Sequence, residues 1–231
     1  QAAEARVKRL RPRRQESSSK EVPGPEARSA PLGAGDPPAP FRREGALFRA
    51  VAIGASTGGP LAVQQLLAEL PRTFSLPVLM VQHITRGFSE GYVRWLNETS
   101  ALPVSLAQEG EKTLSGRVYL APEGYHMGVR TGGGVVLSQD PPEHGVRPSV
   151  SWLFRSLIRV YGAATLGVLL TGMGADGAEE LRMLREKGGV TFAQDRESSV
   201  VWGMPGEAVR RGGAVYVLPP RSIAKALVGL V

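Results

Sequence analysis

Phe48-Arg49-Ala50-Val51-Ala52-Ile53-Gly54-Ala55-Ser56-Thr57-Gly58-Gly59-Pro60 is the stretch of sequence that decides the fold. Its apolar first half has the length of a buried strand, and its second half predicts a tight glycine turn that opens a helix. Glycine permits a close approach of the backbone to a ligand, and proline suits the first turn of a helix. The turn therefore presents Ser56, as a nucleophile or as a helix cap, beside N–H groups that can bind an anion.

Strand-length apolar runs and helical segments alternate along the rest of the chain. The runs lie at 48–54, 77–82, 117–121, 165–170, 190–193 and 214–218, and the helical segments at 60–69, 88–98, 149–161, 177–187 and 221–230. This alternation predicts an α/β fold with three layers, a doubly wound and mainly parallel β-sheet with helices on both faces. Residues 126–138 interrupt the alternation and predict one inserted β-hairpin.

The composition is typical of a protein with one sizeable core. Of the 231 residues, 42% are hydrophobic and none is cysteine, which excludes disulfides, thiol catalysis and zinc–thiolate sites. The chain holds no run of 18 apolar residues and no signal-peptide pattern. We therefore expect a cytoplasmic protein without membrane insertion.

The first 45 residues differ from the rest in composition. Basic residues are densest between Arg6 and Arg14, and residues 15–40 are rich in Ser, Pro, Gly and Ala with few large apolar side chains. Because no aromatic residue interleaves the arginines, we expect a solvated linker and no nucleic-acid partner. Residues 1–45 are predicted to be a basic, largely disordered leader, and residues 46–231 the folded domain.

Residues able to carry acyl-transfer chemistry follow three of the predicted strands. Ser56 follows the first strand, His83 comes after Gln82 at the end of the second, and Asp176 lies in the glycine-rich loop after 165–170. Ligands collect at the carboxyl ends of parallel strands, so the three are expected at one edge of the sheet. Each residue alone also has a purely structural explanation, as a helix cap or a buried histidine.

Two other kinds of site compete for the glycine turn. The string Gly54-x-Ser56-x-Gly58 resembles the α/β-hydrolase nucleophile elbow, but that fold orders its triad Ser, acid, His, whereas the order here is Ser, His, Asp. A dinucleotide site needs an acidic residue after the second strand, where this chain has Gln82-His83. A nucleotide- or phosphosugar-binding domain stays open as an alternative.

Six motifs occur in order and together carry a family resemblance. They are Gly54-Ala55-Ser56-Thr57-Gly58-Gly59, Gln82-His83, Leu120-Ala121-Pro122, Arg147-Pro148-Ser149-Val150, Leu170-Thr171-Gly172-Met173-Gly174-Ala175-Asp176-Gly177 and Gly203-Met204-Pro205. Over about residues 48–231 the chain resembles the catalytic domain of the bacterial chemotaxis protein-glutamate methylesterases, the CheB family. The resemblance implies hydrolysis of glutamate γ-methyl esters, and deamidation of certain glutamines, on methyl-accepting chemoreceptors.

The resemblance also assigns roles to individual residues. It implies Ser56 as nucleophile, His83 as general base and acid, and Asp176 as the partner that orients the imidazole. The backbone N–H of Met173 and one from the Ser56–Gly58 turn would form the oxyanion hole. Thr57 and Gly58 would lie beside the nucleophile, and Met204 would shape the cleft; these residues, with Met173, are predicted as oxyanion or substrate contacts.

No metal or cofactor is expected, because the remaining histidines, His126 and His144, lack metal-ligand spacing relative to His83. Two residues depart from the family pattern: Ala175 stands where Asn is common before the triad aspartate, and Ser151 where Asp is common after Pro-Ser-Val. Both departures could alter hydrogen bonding around the catalytic groups or the fit of substrate.

In this family a phosphorylatable receiver domain commonly precedes a linker and then the esterase. Residues 1–10 resemble the last helix of such a receiver, so residues 1–45 are predicted to be the end of a receiver plus the linker. A histidine kinase would then act only through a receiver absent from this chain, which should be constitutively active. A catalytically inactive module that docks to receptors stays open as a further alternative.

Overall fold

Seven parallel strands form the central sheet of this protein, whose computed structural model describes residues 47–231. The strands within these residues are, in chain order, β1 Ala50–Ala55, β2 Val78–Gln82, β3 Val104–Leu106, β4 Val118–Leu120, β5 His126–Arg130, β6 Gly134–Ser138, β7 Thr165–Leu169, β8 Val190–Gln194 and β9 Tyr216–Leu218. The sheet has the order β3-β4-β2-β1-β7-β8-β9, and all its neighbouring pairs are parallel. The predictions for residues 1–45 lie outside the described residues.

In the described part of the chain, six α-helices cover the two faces of the sheet. They are α1 Gly59–Ala68, α2 Ser89–Thr99, α3 Val150–Tyr161, α4 Ala178–Glu186, α5 Met204–Arg210 and α6 Pro220–Gly229. Successive side chains of a strand point to opposite faces. Accordingly, Val51 and Ile53 of β1 pack with α1, α2 and α6, whereas Ala50 and Ala52 pack with α3, α4 and α5. The predicted three-layer α/β fold is confirmed.

The inserted hairpin is also confirmed, as the antiparallel pair β5–β6. It packs on α3, where the Ser156 hydroxyl accepts a hydrogen bond from the Val129 amide at 2.7 Å and donates one to the Val129 carbonyl at 3.0 Å. A Cβ on Gly128 would lie 2.6 Å from that hydroxyl oxygen, so only glycine allows β5 to come this close. The hairpin thereby covers one side of α3.

Two elements were missed by the sequence analysis. The edge strand β3 has three residues with Ser105 at its centre and so forms no continuous apolar run, and α5 has seven residues, which is about two turns. The string Gly203-Met204-Pro205 therefore opens a helix instead of forming a plain turn. Within residues 47–231, no helix is both long and apolar enough to cross a membrane.

Candidate active site

The parallel register brings Ser56 and His83 to neighbouring positions at the carboxyl edge of the sheet. Ala55 is paired with Gln82, so the residue after each strand end lies beside the other. The His83 amide continues the ladder by donating to the Ala55 carbonyl at 2.9 Å. On the other side of β1, the Ser56 amide donates to the Thr171 carbonyl at 3.0 Å, which joins the loop after β7 to the same edge.

Backbone N–H groups in and next to the turn at Ser56 are candidate donors to a bound ligand. Gly58 has φ 78°, and a Cβ there would lie 2.5 Å from Cβ of Val200, so the turn requires glycine. Within the described part of the chain, the amides of Thr57, Gly58 and Met173 donate to no protein acceptor. Such unpaired donors suit a negatively charged oxygen.

Thr171 ties the turn at Ser56 to the two neighbouring loops. Its hydroxyl lies 3.0 Å from the Thr57 carbonyl and accepts a hydrogen bond from the Val201 amide at 2.9 Å. The Thr171 amide donates to Oε1 of Gln194 at 2.8 Å. Next to it, a Cβ on Gly172 would lie 2.7 Å from Cβ of Ser56, so the Met173 amide follows directly after a close approach to the serine.

His83 and Asp176 are in direct contact. Nε2 of His83 lies 3.0 Å from Oδ2 of Asp176, whose side chain is almost completely buried. Because Nε2 faces the carboxylate, Nδ1 is the ring nitrogen left for the Ser56 hydroxyl. Within residues 47–231 no hydrogen bond joins that hydroxyl to the ring, a bond that often forms only in the substrate complex.

The amino terminus of α3 holds the Asp176 carboxylate. The amides of Val150 and Ser151 donate to its two oxygens at 2.7 and 2.9 Å, and the Ser149 hydroxyl donates to Oδ1 at 2.8 Å. Burial alone would raise the pKa of Asp176, but the hydrogen bonds from His83, Ser151 and Val150 outweigh it and lower the pKa to about 2. The helix dipole favours the same ionised form.

Two glycines, Gly54 near the end of β1 and Gly177 at the start of α4, allow α3 to reach Asp176. A Cβ on Gly54 would lie 2.3 Å from Cγ1 of Val150, and one on Gly177 would lie 2.4 Å from the same atom. The motif Arg147-Pro148-Ser149-Val150 therefore supplies the cap and first residue of the helix that binds the carboxylate. Sequence reasoning missed this role, although Ser149 has the signature of an N-cap.

The two departures from the family pattern occupy different surroundings. The Ser151 hydroxyl donates to the buried Glu180 at 2.6 Å and accepts from the Gly177 amide at 2.9 Å, so it braces the loop that carries Asp176. Arg155 balances the charge of Glu180 at 2.7 Å. The Ala175 carbonyl accepts from the Ala178 amide at 3.0 Å, which needs no particular side chain.

His126 lies behind the cap of α3 and is fully buried. Its Nδ1 accepts from the Ser149 amide at 3.2 Å, and its Nε2 lies 3.1 Å from the Pro141 carbonyl. These partners require the neutral tautomer with the proton on Nε2. The ring also stacks on Trp152 with centroids 4.7 Å apart, so His126 supports the helix start.

The two predicted methionines differ in exposure. The Met173 side chain is 77% exposed, whereas Met204 is fully buried. The Met204 amide donates to the Gly172 carbonyl at 2.8 Å, and a Cβ on Gly172 would lie 2.3 Å from its sulfur. Met204 therefore packs beneath the loop and does not line an open cleft.

Across residues 47–231 no group of three or more His, Asp or Glu side chains could hold a metal ion.

Comparison with known proteins identifies the family to which this chain belongs. Residues 51–227 match the family model described as CheB methylesterase. The chain belongs to the CheB methylesterase family. The family resemblance inferred from the six motifs is thus confirmed.

Relatives of this CheB-family chain agree with the assignment. A protein-glutamate methylesterase/protein-glutamine glutaminase of Nitrosospira multiformis is 56% identical over 193 residues, 84% of this chain and 54% of the relative. The protein-glutamate methylesterase FrzG of Myxococcus xanthus is 49% identical over 177 residues, 77% of this chain and 53% of the relative. The chain thus spans about half the length of the curated relatives it matches.

The fold agrees with a solved CheB structure. The CheB methylesterase catalytic domain of Thermotoga maritima is 37% identical and superposes with a TM-score of 0.77. The match covers 80% of this chain and 99% of the Thermotoga chain.

Proposed function

We propose that this chain is a serine hydrolase that demethylates glutamate γ-methyl esters on methyl-accepting chemoreceptors and deamidates certain receptor glutamines. The observation that carries the proposal is the His83–Asp176 pair at 3.0 Å, at the same sheet edge as Ser56, next to which backbone amides have no protein acceptor among the described residues. The printed names of the Nitrosospira and Myxococcus relatives support the methylesterase activity. The Nitrosospira name also supports the glutaminase activity.

In the proposed reaction the Ser56 hydroxyl attacks the carbonyl carbon of the ester. Nδ1 of His83 takes the hydroxyl proton, and Asp176 stabilises the imidazolium that results. The C–O bond to the methoxy group then breaks, and the imidazolium gives its proton to the leaving methanol. A water molecule attacks the glutamyl-serine ester, again with His83 as base, and releases the glutamate carboxylate and free Ser56.

The carbonyl oxygen becomes an oxyanion in each of the two steps. The amides of Thr57, Gly58 and Met173 are the candidate donors, because none of them has a protein acceptor among the described residues. Thr57 and Gly58 directly follow Ser56, and Met173 follows Gly172, where a Cβ would lie 2.7 Å from Cβ of Ser56. Loss of one oxyanion-hole donor typically costs about 10²–10³ in kcat. Deamidation follows the same steps with ammonia as the leaving group in place of methanol.

The proposal extends to the surroundings of the domain. Residues 46–231 would form the catalytic domain, and residues 1–45 would be the end of a receiver and its linker. A histidine kinase would act through such a receiver, and the protein would work in the cytoplasm as part of a two-component chemosensory system. The chemotaxis role of the family supports this setting.

Release of methanol from methylated receptor tests the proposal. We expect the wild-type chain to release methanol and Ser56→Ala to lose at least about 10³-fold in rate, because triad residues act as a unit. Ser199→Ala is the matched control, since its hydroxyl donates only to the Asp195 carbonyl at 2.6 Å. Full activity of Ser56→Ala would rule out this mechanism, and an inactive wild type that binds labelled nucleotide or receptor would favour one of the alternatives.

A further inference from the structure

Gln82 lies between the residues proposed as nucleophile and base. It ends β2 opposite Ala55, and its side chain is only 1% exposed. The amide nitrogen of Gln82 lies 2.8 Å from the Ser56 carbonyl oxygen and 2.9 Å from that of His83. A primary amide has two N–H donors, so one side chain can satisfy both carbonyls at once.

The chemistry of these partners fixes the orientation of the amide. If its nitrogen and oxygen were exchanged, Oε1 would face two carbonyl oxygens, and all three are acceptors. In the required orientation Oε1 points to Gly59, where a Cβ would lie 2.1 Å from it. Within the described residues, this buried oxygen has no hydrogen-bond partner. Gly59 is thus needed for the position of the amide.

A second buried glutamine shows that an unpaired amide oxygen is not a general feature of these strand ends. Gln194 ends β8 and is also 1% exposed. Its Oε1 accepts from the Thr171 amide at 2.8 Å, and its nitrogen donates to the Ser198 carbonyl at 2.9 Å. Gln82 leaves a buried acceptor unpaired, at a cost in free energy, and keeps both of its donors on Ser56 and His83.

We propose that Gln82 is a positioning residue that links the backbone of Ser56 to the backbone of His83, an inference that rests on the proposed function. Its amide fixes the distance between the turn that carries the hydroxyl and the loop that carries the imidazole. Proton transfer between the two groups requires hydrogen-bond distance, and small misplacements reduce the rate steeply. Gln82 touches neither the ester nor the transferred proton.

Gln82→Met tests the inference, because methionine keeps the length and burial of the side chain but has no N–H donor. We expect kcat for methanol release to fall by about 10²-fold while KM changes by less than about twofold. Gly59→Ala should lower kcat in the same way, since the added Cβ displaces the amide of an intact Gln82. If Gln82→Met does not fold, Gly59→Ala takes its place in the comparison with the wild type.

Thr191→Val is the matched control. It removes the hydrogen bond from the buried Thr191 hydroxyl to the Gly213 carbonyl at 2.6 Å and the one that this hydroxyl accepts from the Val215 amide at 3.1 Å. Thr191 lies near the amino end of β8, away from the carboxyl edge of the sheet. We expect its kcat to equal that of the wild type. A Gln82→Met variant with unchanged kcat, or one that loses no more than Thr191→Val, would overturn the inference.

Amide hydrogen exchange separates this inference from the proposed function. In Gln82→Met, peptides spanning 54–60 and 82–88 should both exchange faster than in the wild type, and in Thr191→Val neither should. This readout needs no substrate, so a wild type that releases no methanol would refute the proposed function alone. Unchanged exchange in both peptides of Gln82→Met would refute the positioning role whatever the activity.

Discussion

At the scale of single residues, the proposed mechanism requires that the buried carboxylate of Asp176 stays ionised. Asp176 is 3% exposed, yet it accepts hydrogen bonds from two amides and a hydroxyl in addition to facing His83. These donors compensate the loss of hydration that burial imposes on a charge. In the proposed reaction, the imidazolium of His83 would therefore meet a carboxylate that is charged at every pH near neutrality.

The low pKa of Asp176 makes a prediction about stability and pH. With a folded-state pKa of about 2 against an ordinary value of 3.8, the ionised form stabilises the fold above about pH 4, and this stabilisation is lost as pH falls through 2. The difference is worth about 2 kcal/mol. We expect the gap in unfolding free energy between wild type and Asp176→Asn to narrow from pH 4 to pH 2, as measured by denaturant titration.

Asp176→Asn should also lower kcat by about 10⁴-fold, because an amide no longer stabilises the correct tautomer of His83 or its imidazolium. Circular dichroism at neutral pH serves as the check that Asp176→Asn is folded. A stability gap that does not vary with pH would mean that Asp176 is not ionised in the way the hydrogen bonds indicate.

At the scale of elements, the start of α3 combines a structural role with a role in the site. Ser149 caps the helix, accepting from the Trp152 amide at 3.4 Å while donating to Asp176. His126 in turn accepts from the Ser149 amide. A single helix terminus therefore couples the stability of the element to the position of the carboxylate.

Ser149→Ala should accordingly affect both stability and activity. We expect a loss of about 1–2 kcal/mol in unfolding free energy and a fall in kcat smaller than that of Asp176→Asn, since the Val150 and Ser151 amides remain. Ser100→Ala is the control, because it removes a side-chain bond to the Leu102 carbonyl at 2.8 Å away from the site. A kcat of Ser149→Ala equal to that of both the wild type and Ser100→Ala would contradict the coupling.

The sequence predicted those elements whose patterns are long or chemically distinctive. The apolar runs predicted the strands β1, β2, β4, β7, β8 and β9, and the helical segments predicted every described α-helix except α5. The glycine turns and strand ends predicted the loops of Ser56, His83 and Asp176. The sequence could not predict β3, where Ser105 interrupts the apolar run, nor the contacts of Gln82 and His126. Those contacts depend on register and helix packing, which bring together residues distant in the chain.

At the scale of the whole molecule, topology explains why the site lies where it does. The chain leaves β1 toward β2 on one side and later returns to β7 on the other. Open α/β sheets bind ligands at such a reversal of strand order, because the loops diverge there and leave a crevice. Ser56 follows β1, His83 follows β2, and Asp176 comes from the loop after β7, so the three central strands supply the three proposed catalytic groups.

The central claim is that Ser56 is a nucleophile activated by His83, and covalent labelling tests it most directly. The chain would be treated with a fluorophosphonate, mapped by peptide mass spectrometry and assayed for methanol release from methylated receptor. We expect one adduct, on Ser56, with methanol release falling in proportion to labelling, and no adduct in His83→Gln. Full methanol release from a chain labelled completely at Ser56, or an adduct on another residue with Ser56 unmodified, would contradict the account.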